Sequence, residues 1–370
     1  MDHPFIPGLE LSRRFYYEAV RPLLHAHFGS LPHTAARIGG GSEVLGFDTA
    51  RSADHEWGPR LQLFLRHHDA DRHAARIGTM LSDKLPKTFC GHPTNFAAAG
   101  GSEHIRRMEV TTGPIFHRVE VTSLDAWFTN HLGFDPLDDV TTLDWLATPT
   151  QALAELTGGT VLHDETGELT SARARLIWYP EQIWRYVLAC QWQRISQEEA
   201  FVGRCGEVGD ELGSAVVSAR LVRDLMRLTL LIHRRYPPYS KWLGSTFARI
   251  PFAATLTPVL TAALGATTWR EREQHLATAY SAIAGQHNRL GLTEPVDPST
   301  RHYHDRPFQV LRAERFSQAL LAGITDAELR GLPLTGAVDQ FADNTDLLVD
   351  RAATHAVTTA LATPKPTPDV

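Results

Sequence analysis

Apolar and polar positions alternate along "PRLQLFLRHHD", where Leu61, Leu63 and Leu65 fall on one side, and this spacing predicts a β-strand. "FHRVEVTSL" predicts a second strand, with Val119 and Val121 on one face and Arg118, Glu120 and Thr122 on the other. "ARIGG" reads as the end of a further strand. Helical spacing marks "LELSRRFYYEAVRPLLHAHF" and "DADRHAARIGTMLSDKLP", the latter with Asp69 or Asp71 at its start and Pro86 beyond its end. After a turn at Asp164–Gly167 and a short helix, long helices dominate: "EQIWRYVLACQWQRISQEEAFVG", "DELGSAVVSARLVRDLMRLTLLIHRRY", "TWREREQHLATAYSAIAGQHNRLG" and "DNTDLLVDRAATHAVTTALA".

The pattern divides the chain into a mixed α/β part at 1–145 and a mainly helical domain at 146–361, an α+β arrangement overall. The proline-rich end, 362–370, is expected to be a flexible tail. At 370 residues with 43% hydrophobic content, the chain is long enough for two domains of ordinary size or one large one and can bury a real core. Its net charge of -6 argues against a general nucleic-acid binder, which needs a broad basic face. Cys90, Cys190 and Cys205 are widely spaced and suggest neither a disulfide framework nor a zinc site. With no signal-like start and no spanning run, the expectation is a cytoplasmic protein without membrane association.

Chemistry concentrates in "GGGSEVLGFDTARSADHEWGPRLQLFL". Carboxylates at i and i+2 on a strand share a face. Read as the start of the Leu61–Leu65 strand, Asp54 and Glu56 therefore project together as hard oxygen ligands suited to Mg²⁺. The Gly41-Ser42 turn offers backbone N–H groups and a hydroxyl that a phosphate can approach closely. Taken singly, a glycine-rich turn and a DxE pair are ordinary surface features. Their order and spacing give them weight.

That run resembles the signature of the DNA polymerase β-like nucleotidyltransferase superfamily, with Gly41, Ser42, Asp54 and Glu56 at the matching positions. The wider phrase "GSEVLGFDTARSADHEWGPR" resembles the uncharacterised bacterial domain of unknown function 4037, as do "WYPEQIWRYVLACQWQRI", "GDELGSAVVSARLVRDLM" and "YPPYSKWLGSTF". The resemblance implies a nucleotidyltransferase-like mixed sheet followed by a helical bundle. It implies transfer of a nucleoside monophosphate from a nucleoside triphosphate, ATP first, to an acceptor, with Mg²⁺ (or Mn²⁺) and pyrophosphate release. The implied metal ligands are Asp54, Glu56 and a third acid, for which Glu120 is preferred over Glu109. Gly41 and Ser42 would hold phosphates, with Lys241 and Tyr239 of "PPYSKWLG" assisting. Glu56 stands where many relatives carry Asp, and Asp48 inside the loop is a further departure.

Other residues compete for roles. Arg220, Arg223 and Arg227 share a helical face that could hold an anion, with Asp224 and Glu211 as pairing partners; a solvated stripe is the plainer reading. Glu207, Asp210 and Glu211 stand where a general base is expected, although Asp210 reads better as a helix cap. The His-Asp steps at 67–69, 163–164 and 302–305 do not form an HD-hydrolase pattern, and their histidines read as surface loops. The expected acceptor is a small molecule, and the oligomeric state is open. The rival readings are a nucleotide-binding or partner-binding protein that keeps the fold without turnover, and a toxin-type transferase modifying protein or RNA.

Overall fold

The computed structural model describes residues 5–99 and 102–362. The chain is α+β and divides into two compact units, 1–140 with 152–177 and 141–151 with 178–370. The expected boundary at 145 is therefore too simple. Residues 152–177 return to the first unit, because strand β8 (Thr160–Asp164) completes its sheet. Of the expected tail at 362–370, all but Ala362 lies outside the described residues.

The first unit is built on a 4-stranded sheet in the order β7-β2-β1-β8, with β1 at His33–Arg37, β2 at Arg60–Leu65 and β7 at Arg118–Ser123. β1 lies antiparallel to both β2 and β8, whereas β2 and β7 run parallel. Two short hairpins, β3 (Thr88–Phe89) with β4 (His92–Pro93) and β5 (Phe96–Ala99) with β6 (Ser102–Met108), stand apart from it.

Alternation decides what each face of the sheet does. Ala35, Leu61, Leu63, Leu65, Val119 and Leu162 face a core shared with Leu11, Phe15, Tyr16 and Val20 of the N-terminal helices and with Ile77 and Leu81 of the helix His67–Lys84. That helix starts earlier than Asp69 or Asp71 would place it, with Asp69 in its first turn. The N-terminal helical run proceeds through Gly8–Phe15, a π-helical turn at Tyr16–Val20 and Arg21–Phe28. Pro22, the second residue after the widened segment, brings no N–H to the turn before it. On the opposite face of the sheet, Phe64 meets Trp127 of the helix Leu124–Leu132 edge-on, with ring centroids 5.8 Å apart. The same face carries Arg60 and Gln62 beside Arg118 and Glu120, because Arg60 pairs with Arg118 and Gln62 with Glu120 across the parallel ladder.

The loop after β1 is fixed by a buried ion triad. Glu43 is 1% exposed and accepts from Arg37 Nε at 2.8 Å and from Arg60 Nε and Nη2 at 2.9 and 2.7 Å. Arg37 also donates to the carbonyls of Ile38 and Gly40, which ties the loop backbone to the end of its own strand. Burial pushes the Glu43 carboxyl upward, but Arg37 and Arg60 more than offset this and hold it below its ordinary value of 4.5. Burial, reinforced by the charge of Arg60, lowers Arg37 to about 10, so it stays charged at neutral pH. Gly41 must be glycine here: its φ is +151°, and a Cβ would come within 2.5 Å of nitrogens of both arginines.

The second unit is mainly helical. Its long members are Glu181–Glu198, Glu211–Ile232 and Trp269–Arg289, with a small hairpin of β9 (Arg301–Tyr303) and β10 (Arg306–Val310). Trp192 stacks on Phe316 at 4.6 Å in its core and donates to His287 Nδ1 at 3.1 Å. Gly206, in the helix Phe201–Glu207, lies directly against Trp269, where an added Cβ would be 2.0 Å from Cγ of the indole.

Two stability predictions follow from these contacts. Replacing Glu43 by Ala leaves two guanidiniums buried without their carboxylate and is expected to cost about 3–5 kcal/mol in urea unfolding. Because the folded carboxyl sits below 4.5, its stabilisation is fully present above that pH and is lost as pH falls through the lower folded value. The variant should accordingly show a flatter acid-unfolding profile than the parent. Gly206→Ala overpacks a site with no spare volume and should cost about 1–3 kcal/mol, read as a lowered thermal midpoint.

Candidate functional site

A cavity of about 670 Å³ opens on the polar face of the sheet in the first unit. Arg37, Gly40, Gly41, Glu56, Arg60, Gln62, His117, Arg118, Glu120 and His131 line it. Its position follows from the alternation: the residues that point away from the leucine core on β2 and β7 point into this space. Gln62 also accepts from the Ile38 N–H at 3.1 Å, which links the floor to the loop after β1.

The predicted carboxylates arrive differently from the expectation. Asp54 and Glu56 do not share a strand. Asp54 closes a 3-10 turn (Ala50–Asp54), its side chain is 61% exposed, and it pairs with His55 Nδ1 at 2.9 Å. Glu56 adopts a left-handed φ of +45°. β2 begins only at Arg60, because Gly58, with φ +140°, and Pro59 separate it from the turn. The i, i+2 pair that faces the cavity from the strand is therefore Arg60 and Gln62, where a carboxylate pair was expected.

Glu56 does enter the cavity, but its oxygens are engaged. Oε1 accepts the Arg106 backbone N–H at 2.8 Å, and Oε2 accepts Arg118 Nη2 at 2.6 Å with Arg60 Nη1 at 3.6 Å. Glu120 lines the same cavity, exposed, on the face expected for it. Glu109 lies just past β6, with Arg107 Nη2 at 4.0 Å. Among the described residues the one grouping of three His, Cys, Asp or Glu ligand atoms is that of His33, His163 and Glu165. Asp54, Glu56 and Glu120 form no such group, so this donor set does not fit a Mg²⁺ held by three carboxylates.

Gly41 lines the cavity, and Ser42, next in the chain, does not. The N–H groups of Gly40, Gly41 and Ser42 meet no protein acceptor among the described residues. Asp48 has a structural role, accepting from the Gly8 N–H at 2.6 Å and Trp57 Nε1 at 3.1 Å. Among the lining residues that the motif reading missed are Arg60, Gln62, His117, Arg118 and His131. The leucine alternation and the Gly58-Pro59 break would have exposed the first two.

A second cavity of about 870 Å³ in the same unit shares His117 and Arg118 with the first. Phe96, Ala97, Ala98 and Phe116 contribute to its lining, and Phe116 is 75% exposed.

The remaining candidates belong to the second unit. Tyr239 precedes the helix Ser240–Ala248 and its N–H donates to Gln151 Oε1 at 3.1 Å. Lys241 lies over the Trp242 ring, 4.9 Å from its centroid. The arginine stripe is not a free anion-binding face. Arg220 pairs with Glu198 at 2.6 Å, Arg223 with Asp343 at 2.9 Å, and Arg227 donates to the Asp339 carbonyl. Asp224 pairs with Arg194 at 2.8 Å, Glu211 with Arg272 at 2.5 Å and Glu207 with Arg306 at 3.4 Å. Asp210 caps its helix by accepting the Gly213 N–H at 2.7 Å.

Among the described residues no helix is long and apolar enough to cross a membrane. No curated protein matches the chain. A solved structure of a nucleotidyltransferase-like protein from Exiguobacterium sibiricum 255-15 is similar over 85% of this chain and 90% of that one, at 11% identity and a TM-score of 0.32. Residues 145–243 match the family model described as Domain of unknown function (DUF4037), a stretch that contains none of the cavity-lining residues.

Proposed function

We propose that the first unit binds a nucleotide through its phosphates and does so with cationic and backbone donors in place of a carboxylate-held metal. The observation that carries this reading is the pair of positions facing the cavity from β2: Arg60 and Gln62, set against Arg118 and Glu120 on β7. Beneath the loop, two guanidiniums share one buried carboxylate, Glu43, a local excess of positive charge under Gly40 and Gly41 that Glu56 and Glu120 offset across the cavity. The N–H groups of the glycine turn supply donors without a side chain in the way. Arg118, whose side chain is 39% exposed, is the guanidinium best placed to exchange Glu56 for a phosphate oxygen.

The neighbouring cavity favours a nucleotide over a bare phosphate. It meets the first at His117 and Arg118 and presents Phe116, a flat apolar ring on which a base can stack. Both cavities fall within the roughly 300–1,000 Å³ typical of small-molecule sites. Transfer of a nucleoside monophosphate is the finer alternative. It requires Glu56 to leave Arg118 and a metal to be held by fewer acids than the motif implies.

Calorimetric titration of the full chain with ATP, with and without Mg²⁺, tests the proposal. The expected outcome is binding that survives EDTA, weakens with salt and falls at least tenfold, about 1.4 kcal/mol, in Arg118→Ala. Phe116→Ala should weaken ATP and leave inorganic triphosphate unaffected. No binding of any nucleoside triphosphate would overturn the proposal. Pyrophosphate release with a cell extract as acceptor source, abolished in Glu56→Gln and Glu120→Gln, would replace it with the transferase reading.

A further inference from the structure

We propose that His33, His163 and Glu165 form a zinc-binding site in the first unit, at the opposite end of β1 from the arginine cavity. The one His-Asp step with a sequence-adjacent glutamate, "HDE" at 163–165, supplies two of the ligands. Ligand atoms of the three side chains lie within 4.8 Å of one another.

Strand register explains why they converge. β1 and β8 are antiparallel, with Ala35 opposite His163 and Thr34 opposite Asp164. Continuing that register, His33 stands opposite Glu165, and its N–H reaches Glu165 Oε2 at 3.3 Å. Directly opposed residues share a face, as do residues two apart on a strand. His33, His163 and Glu165 therefore project from one side of the sheet, while Asp164 points away to bind Thr34 and Thr170. Ala35, opposite His163 on the same face, carries only a methyl group. The two imidazole centroids are 4.9 Å apart, and His163 Nε2 is 3.8 Å from Glu165 Oε2.

The histidine tautomer suits a metal as well. His33 Nδ1 lies 2.8 Å from the Leu31 carbonyl, which can only accept, so Nδ1 carries the proton and Nε2 carries the lone pair. A ligating histidine that donates its other N–H to a backbone carbonyl is the usual arrangement that fixes ring orientation. The Tyr16 hydroxyl donates to that Nε2 at 2.8 Å, so a metal there takes the place of this hydrogen bond and the phenol must shift within its buried seat. Two imidazoles and one carboxylate with an open fourth position match the donor set of many zinc sites. Mg²⁺ by contrast avoids nitrogen-rich sets. Glu165, about half exposed, gives the ion a path from solvent, and the buried Tyr16 closes the inner side.

The test uses the full chain stripped with EDTA, titrated with Zn²⁺ by calorimetry and assayed for retained metal after gel filtration. The expected result is one Zn²⁺ per chain, with affinity lowered at least tenfold in His163→Ala and in Glu165→Gln. His302→Ala/His304→Ala, which removes surface histidines elsewhere, should bind as the parent does. Co²⁺ in place of Zn²⁺ should give the visible bands of a tetrahedral site, absent from His163→Ala. Glu165→Gln preserves the shape of an exposed side chain, so an intact far-ultraviolet spectrum separates lost binding from lost folding. Substoichiometric uptake by the parent, or uptake unchanged in both ligand variants, would overturn the proposal. Arg118→Ala should retain zinc in full, so failure here and failure of the nucleotide reading are distinguishable.

Discussion

The carboxylate of Glu43, buried between two arginines, sets the geometry of the first unit's polar face. Arg37 ends one strand and Arg60 begins its antiparallel neighbour, so a single side chain from the intervening loop locks both strand ends. Desolvating three charges is expensive, and such a triad is retained only with close hydrogen bonding. Here the second arginine and the loop carbonyls supply it. The cost is offset locally, and the result is a loop whose backbone donors are held in place before any ligand arrives. Preorganisation of this kind matters for anion binding, because little conformational entropy remains to be lost.

The cavity is thereby a site with almost balanced charge. Glu56 and Glu120 temper Arg60 and Arg118, and the contact between Arg118 and Glu56 occupies a position that a phosphate oxygen could take. An internal carboxylate that mimics the ligand keeps the guanidinium oriented when the site is free. It also sets a threshold: an incoming anion must offer more than one contact to displace it. A phosphate chain meets that requirement and a chloride ion does not.

Much of this was legible in the sequence, unevenly. The strand β2 followed from Leu61, Leu63 and Leu65, and β7 from Val119 and Val121, because each packs one face on the core and alternation reports that directly. The side of β7 carrying Glu120 was correct for the same reason. The reading of Asp54 and Glu56 failed at a backbone feature, since a left-handed Glu56 and the Gly58-Pro59 step end any strand before it reaches them. The Gly58-Pro59 step is itself a strand breaker visible in the sequence. β8 escaped because a five-residue strand of mixed character carries little periodic signal, and its place is decided by a distant partner, β1. The grouping of His33, 130 residues from His163, is invisible for the same reason: only the antiparallel register brings them together.

The return of residues 152–177 has a consequence for how the chain comes to be folded. During synthesis β1, β2 and β7 emerge first, and the open edge of β1 waits until β8 has left the ribosome. An unpaired strand edge is a template for association with other chains. A fragment cut at the apparent composition boundary would keep that edge permanently bare. Insolubility of such a fragment would reflect its missing strand rather than any weakness in the intact protein.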